Sequence, residues 1–151
     1  MRVRAIITAF AMLLSIGAMA TEPINERVYD AGVSRELANW RKATIKDVRY
    51  ELHFDLVNNI GSATIGFDVK ESQEIVIDFR NTDLVKGVEN HNYVLKDEHI
   101  IIAAEGIVPG YNEVIVEFGV DNQSLNRKPD FLYTLLVPDR ARTLFPCFDQ
   151  P

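Results

Sequence analysis

From Val48 the chain alternates. Val48, Tyr50, Leu52, Phe54 and Leu56 are apolar, and Arg49, Glu51, His53 and Asp55 between them are polar. A period of two does not suit a helix, whose apolar stripe repeats every 3.6 residues. It suits a strand, where successive side chains point to opposite faces. Asn58-Asn59-Ile60-Gly61 then supplies turn chemistry. A second run sets Ala63, Ile65, Phe67 and Val69 against Thr64, Asp68 and Lys70. The two runs predict an antiparallel pair with one wet face.

The rest of the chain repeats this grammar. Residues 74–79 read as a third strand, with Ile75, Ile77 and Phe79 on one side. Val85 and Val88 mark a short strand. Tyr93-Val94-Leu95 and Ile100-Ile101-Ile102 form a hairpin around Lys96-Asp97-Glu98. Pro109-Gly110 is a turn into a strand over 113–120. Residues 121–130 read as a polar loop, and 131–137 as a last strand broken by Pro138-Asp139. Strands at such intervals predict an all-β fold, an antiparallel saddle-like sheet or sandwich. The one exception precedes the first strand. Ser34 as N-cap, Glu36 in the first turn, and Val33, Leu37 and Trp40 at helical spacing predict one short helix over 34–43. Trp40 then faces the body, and Arg35, Arg41 and Lys42 are solvated.

The first twenty residues differ. Arg2 and Arg4 precede an apolar stretch that ends in Ala18-Met19-Ala20, the layout of a secretory signal peptide. The stretch is short for a membrane span, so no stable membrane anchor is expected. The organisation predicted is a signal peptide over 1–20, a polar lead over 21–33 and a β-domain over 34–151. The mature chain is then periplasmic or extracellular. Cleavage removes two arginines and takes the formal charge from −6 to −8. That acidity argues against nucleic acid or an anionic membrane surface as a partner.

No complete active site is visible. There is no His-Glu-x-x-His, and His53, His91 and His99 lie far apart in sequence. Asp97 and His99 could share a strand face, but two groups do not make a zinc site. Neither catalytic nor metal-ligating residues are predicted, and no cofactor is expected on this chain. Asn122-Gln123-Ser124 matches a glycosylation acceptor. Asp78, amid apolar strand residues, must face water or be paired, with Arg80 or Arg142 as candidate partners. Cys147 has no second cysteine to pair with. Its aromatic neighbours predict a buried, unreactive thiol.

Residues 145–151 form an apolar, stiff motif, Phe145-Pro146-Cys147-Phe148-Asp149-Gln150-Pro151. A chain closing on such a motif, without a polar tail, is expected to continue further. Together with Tyr133-Thr134, Val137-Pro138 and Ala141-Arg142, the motif resembles the signature that ends the N-terminal domain of aminopeptidase N-type zinc metallopeptidases. Asp47-Val48-Arg49-Tyr50-Glu51-Leu52-His53-Phe54 is similar to that family's opening strand. Ile75-Val76-Ile77-Asp78-Phe79 and Gly110-Tyr111-Asn112-Glu113-Val114 resemble two later ones.

The resemblance, which covers about residues 30–151, implies a largely antiparallel β-saddle packed on a thermolysin-like catalytic domain of the same polypeptide. It also implies a parent enzyme that removes N-terminal residues from peptides. In that family the missing domain supplies a Gly-x-Met-Glu-Asn loop, zinc held by His-Glu-x-x-His and a distant Glu, and a Tyr for the tetrahedral intermediate. None of these motifs occurs here. Arg142, Phe145, Pro146, Cys147, Phe148, Asp149, Gln150 and Pro151 are then structural, with Asp149 accepting backbone N–H bonds or pairing with Arg142. Tyr133, Thr134 and Leu135 become a candidate pocket wall. There are two departures. Gln150 stands where the family more often has Glu, and Leu135 stands where several relatives carry a polar residue.

Two other readings fit the same residues. One is a stand-alone secreted β-sandwich that binds peptide or glycan. The other is a non-catalytic scaffold relative of the aminopeptidases.

Overall fold

The computed structural model describes residues 29–123 and 125–150. The signal peptide at 1–20, the lead at 21–28, Ser124 of the glycosylation acceptor and Pro151 lie outside the described residues. Among the described residues, one α-helix, α1 (Arg35–Thr44), precedes nine strands. These are β1 (Ile45–Asp55), β2 (Ile60–Val69), β3 (Ile75–Asp78), β4 (Val85–Val88), β5 (Tyr93–Lys96), β6 (His99–Ile102), β7 (Gly110–Gly119), β8 (Leu125–Arg127) and β9 (Leu132–Thr134). They form a four-stranded sheet in the order β1-β2-β7-β4, a three-stranded sheet β3-β6-β5 and a two-stranded ribbon β8-β9. Each pairing is antiparallel.

The period-two runs place the core. Ala63, Ile65, Phe67 and Val69 of β2 share one buried cluster with Val114, Val116 and Phe118 of β7. Ile75 and Ile77 of β3 and Ile100 and Ile102 of β6 belong to the same cluster, so the two larger sheets share one core. The Phe118 ring lies against Gly61, where an added Cβ would meet it at 2.7 Å. Glycine is needed there because Phe54 and Phe118 meet edge to face across that position, 6.1 Å apart. Gly110 opens β7 at φ +96°, a conformation that L side chains rarely adopt. Asn112 is buried in β7, and its amide donates to the carbonyls of Val108 and Gly110 and accepts from the Val108 N–H. A polar residue inside this strand is tolerated because it satisfies the turn before it.

The three-stranded sheet has a second buried face. Val76 packs with Leu37 of α1, and Tyr29, Val33 and Trp40 join them. The described end of the lead is therefore tied down. The Tyr29 hydroxyl donates to Glu74 at 2.7 Å, and the Asp30 carbonyl lies 2.8 Å from His99 Nε2. Ser34 caps the helix as predicted, its hydroxyl accepting from the Leu37 N–H at 3.0 Å.

Three expectations are corrected. Arg41 is not solvated; it is 3% exposed, because it stands one turn beyond Leu37 on the stripe that faces β3. The stretch read as a polar loop contains β8, whose Leu125 is buried. The strand expected over 131–137 shortens to β9, because only Leu132, Tyr133 and Thr134 find partners on β8. Among the described residues no helix is long and apolar enough to cross a membrane.

Candidate functional site

Asp78 and His99 sit directly opposite each other on β3 and β6. The inward side chains Ile75, Ile77 and Phe79 turn Asp78 to the other face of the sheet, and α1 covers that face. Arg41 descends from the helix and grips the carboxylate with both ends of its guanidinium, Nη1 to Oδ2 and Nη2 to Oδ1, each at 2.7 Å. Nη2 also donates to the Val76 carbonyl at 2.7 Å. His99 Nδ1 lies 3.0 Å from Asp78 Oδ1. All three side chains are buried.

The closing motif docks on this network. Asp78 and Cys147 exchange backbone hydrogen bonds of 2.8 and 3.0 Å, so Cys147 extends the sheet beyond its edge strand β3. The Asp149 N–H donates to Asp78 Oδ2 at 2.8 Å. On the other side the Phe148 N–H donates to the Tyr50 hydroxyl at 2.8 Å, and Phe145 meets Tyr50 and Phe54 edge to face. Phe148 lies edge-on to Phe67, and the Arg41 guanidinium sits over its ring at 5.2 Å. β1 and β3 are edge strands of different sheets, so residues 145–150 close the seam between them.

Asp149 accepts from both the backbone N–H and Nη1 of Arg142, as expected. Arg142 also pairs with Glu98 at 3.2 Å and with Asp139. Burial alone would ease the proton off Arg142, but Glu98, Asp149 and Asp139 outweigh it and hold the guanidinium charged. The partner foreseen for Asp78 is corrected: neither Arg80 nor Arg142 reaches it. Arg80 pairs with Glu98 at 3.4 Å and bonds through its backbone N–H to the Arg142 carbonyl. The signal that would have found Arg41 was its four-residue spacing from Leu37.

Burial by itself pushes the Asp78 carboxyl up. The His99 ring, the Arg41 guanidinium and the Asp149 N–H together outweigh that, and hold it below the usual carboxylate range. A carboxyl depressed by folding contributes stability that is fully present above its unfolded pKa of about 4. Stability should therefore fall as pH drops below about 4, toward the folded value. Urea titrations at pH 7, 4 and 3 on wild type and Asp78→Asn check this. The variant should be less stable at pH 7, and its loss of stability between pH 7 and 3 should be shallower than that of wild type.

Cys147 is free and buried. Burial pushes its thiol well above the ordinary range, and the Asp149 and Asp78 charges add to this against Arg41 and Arg142. The thiolate is the nucleophile, so a thiol reagent should label Cys147 only as fast as the domain unfolds. Full labelling of the native protein within seconds would contradict the seam described here.

Tyr133, Thr134 and Leu135 lie elsewhere, on and just after the outer strand of the ribbon, and all three are exposed. Tyr133 stacks on Phe131, 6.2 Å between centroids. The ribbon stands on the β1–β2 turn through Arg127, which donates to the Leu56 carbonyl and to Asn59 Oδ1. None of the hydrogen bonds and ring contacts described above for the closing motif involves these three residues. None of this assembles a nucleophile with a base. Among the described residues, no three His, Cys, Asp or Glu side chains come together to hold a metal ion. No protein-family model matches the chain, and no curated protein matches it.

Proposed function

We propose that this chain is the non-catalytic N-terminal β-domain of an exported zinc aminopeptidase of the aminopeptidase N type. The observation that carries the reading is the closing motif, with its upstream strand motifs in the family's order along the chain. A structural role for that motif fits its place across the seam between two sheets. The exposed apolar row Phe131, Leu132, Tyr133, Leu135 and Val137 supports a domain that is covered by another. In the enzyme, zinc and the catalytic groups belong to the second domain. This chain contributes a rigid wall, more apolar at Leu135 than the family pattern.

The test has two parts. The reading frame beyond codon 151 should encode Gly-x-Met-Glu-Asn and His-Glu-x-x-His; a frame without them sinks the proposal. The 151-residue chain, incubated with zinc and aminoacyl-arylamides, should release no arylamine. The alternative of a stand-alone peptide- or glycan-binding module predicts a monomer that does not bind an apolar dye, whereas a domain lacking its cover should bind one.

A further inference from the structure

His99 is fully buried, and each of its ring nitrogens faces an oxygen that can only accept a hydrogen bond. Nδ1 lies 3.0 Å from Oδ1 of the ionised Asp78, and Nε2 lies 2.8 Å from the Asp30 carbonyl. A neutral imidazole carries one N–H, and its other nitrogen is an acceptor. Either neutral tautomer would therefore press a lone pair against an oxygen at hydrogen-bond distance, in a buried place where an unmade hydrogen bond is costly. Only the ring with both nitrogens protonated satisfies both oxygens.

Every element packed around the ring brings a charged or titratable group. From β3, the Asp78 carboxylate favours the second proton. From α1, Arg41 shares that carboxylate and disfavours another cation. On β5, Lys96 is the cross-strand partner of His99 and disfavours it too, with its ammonium over the Tyr29 ring, 5.0 Å from the centroid. From the closing motif, Cys147 bonds to the Asp78 backbone, and Asp149 offers its N–H to the same carboxylate. From the lead come Asp30 and Tyr29, whose hydroxyl donates to Glu74. Burial and Glu74 push that phenol above its ordinary range, so it keeps its proton through neutral and mildly alkaline pH. The charge on His99 is thus supported and opposed at once, which is the condition for a charge that can be lost.

We propose that His99 is held as an imidazolium that latches the N-terminal lead to the sheet, and that loss of one ring proton opens the latch. The remaining proton stays on Nδ1, because a hydrogen bond to a carboxylate is stronger than one to a carbonyl. The bond that breaks is therefore the one to Asp30. Tyr29 and Val33 of the lead pack on the small cluster of Leu37 and Val76 beside Trp40, so release loosens that cluster while Arg41 keeps α1 on β3. The sign is opposite to that of Asp78. The latch holds a proton when closed, so its stability is present at low pH and lost as pH rises. The latch owes nothing to the peptidase resemblance.

NMR of the whole chain between pH 6 and 9 tests it. At pH 6 the ring nitrogen shifts of His99 should be those of a doubly protonated imidazole. As pH rises, Nε2 alone should lose its proton, and the amide signals of Tyr29 and Asp30 should move along the same curve. Fluorescence of Trp40, the one tryptophan, should follow it. His53→Gln and His91→Gln, at the other two histidines, should leave the curve unchanged. His99→Gln, whose amide can still donate to Asp30, should abolish it; if that variant does not fold, the ring shifts of wild type still decide. The latch is overturned by a His99 that carries one proton at pH 6, or by one that keeps both to pH 9. Lead signals that stay fixed while the ring loses its proton overturn it as well.

Discussion

Replacing Asp78 with alanine should cost about 3–5 kcal/mol of folding stability, the loss typical when one partner of a buried ion pair is removed. The reason is what remains. Arg41, at 3% exposure, would keep its charge inside the protein with the Val76 carbonyl and the Phe148 ring but no counter-ion to answer it. His99 would lose the carboxylate beside Nδ1, and the Asp149 N–H would lose its acceptor. A domain of this size has about 5–15 kcal/mol in total, so the variant should be at the edge of folding at physiological temperature. Arg41→Met alone should also destabilise, because it leaves a buried carboxylate underpaired. The combination of Arg41→Met with Asp78→Ala should be less damaging than the two losses added. Equilibrium urea unfolding of the four proteins measures the cycle. Additive losses, or a cost below about 1 kcal/mol for Asp78→Ala, would show that the network does not hold α1 to the sheet.

The second large effect lies in the core. Phe118→Ala should cost about 3–5 kcal/mol, since the ring is fully buried and packs edge to face against Phe54 and Phe79. Gly61→Ala should also destabilise, by about 1–3 kcal/mol, because the new methyl would press on that ring. The two positions should therefore compensate. Gly61→Ala combined with Phe118→Leu should be more stable than Phe118→Leu alone, the methyl taking up part of the vacated space. Thermal unfolding followed by circular dichroism gives the order of the variants. Equal destabilisation by Gly61→Ala in wild type and in the Phe118→Leu variant would refute the contact.

The β-strands were legible because burial imposes period two wherever one face meets a core and the other meets water. β2 and β7 obey this over most of their length, β1 keeps the alternation in residue type while Val48 and Tyr50 on its apolar face stay partly open, and Ser34 announced the helix through the chemistry of its hydroxyl. The reading weakened where both faces are buried. In β3 and β6 the second face carries Asp78 and His99, and alternation cannot say what covers a polar residue. Arg41 was misread because a long cation on a helix normally reaches water. Only its register with Leu37 and a waiting carboxylate reverse that. β8 was missed because its residues, Leu125, Asn126 and Arg127, are too few to show a period. In the closing motif, packing was expected from its aromatic and proline content. The identity of the groups beneath it depends on pairings tens of residues apart, which local sequence does not encode.

The seam has a consequence for the order in which this chain acquires its shape. Its hydrogen bonds join Phe148 to Tyr50 and Asp149 to Asp78, positions 98 and 71 residues apart. During synthesis β1 to β7 can pair while residues 145–150 are still unmade, but the gap between β1 and β3 then stays open to water. Contacts this distant in sequence are slow to form, since a long loop must close before any of them is rewarded. Closure is therefore the late step, and the sheets must survive with an unfinished edge until it comes. A nascent chain halted shortly before Phe145 should display both open edges and be the species most prone to pairing with its neighbours.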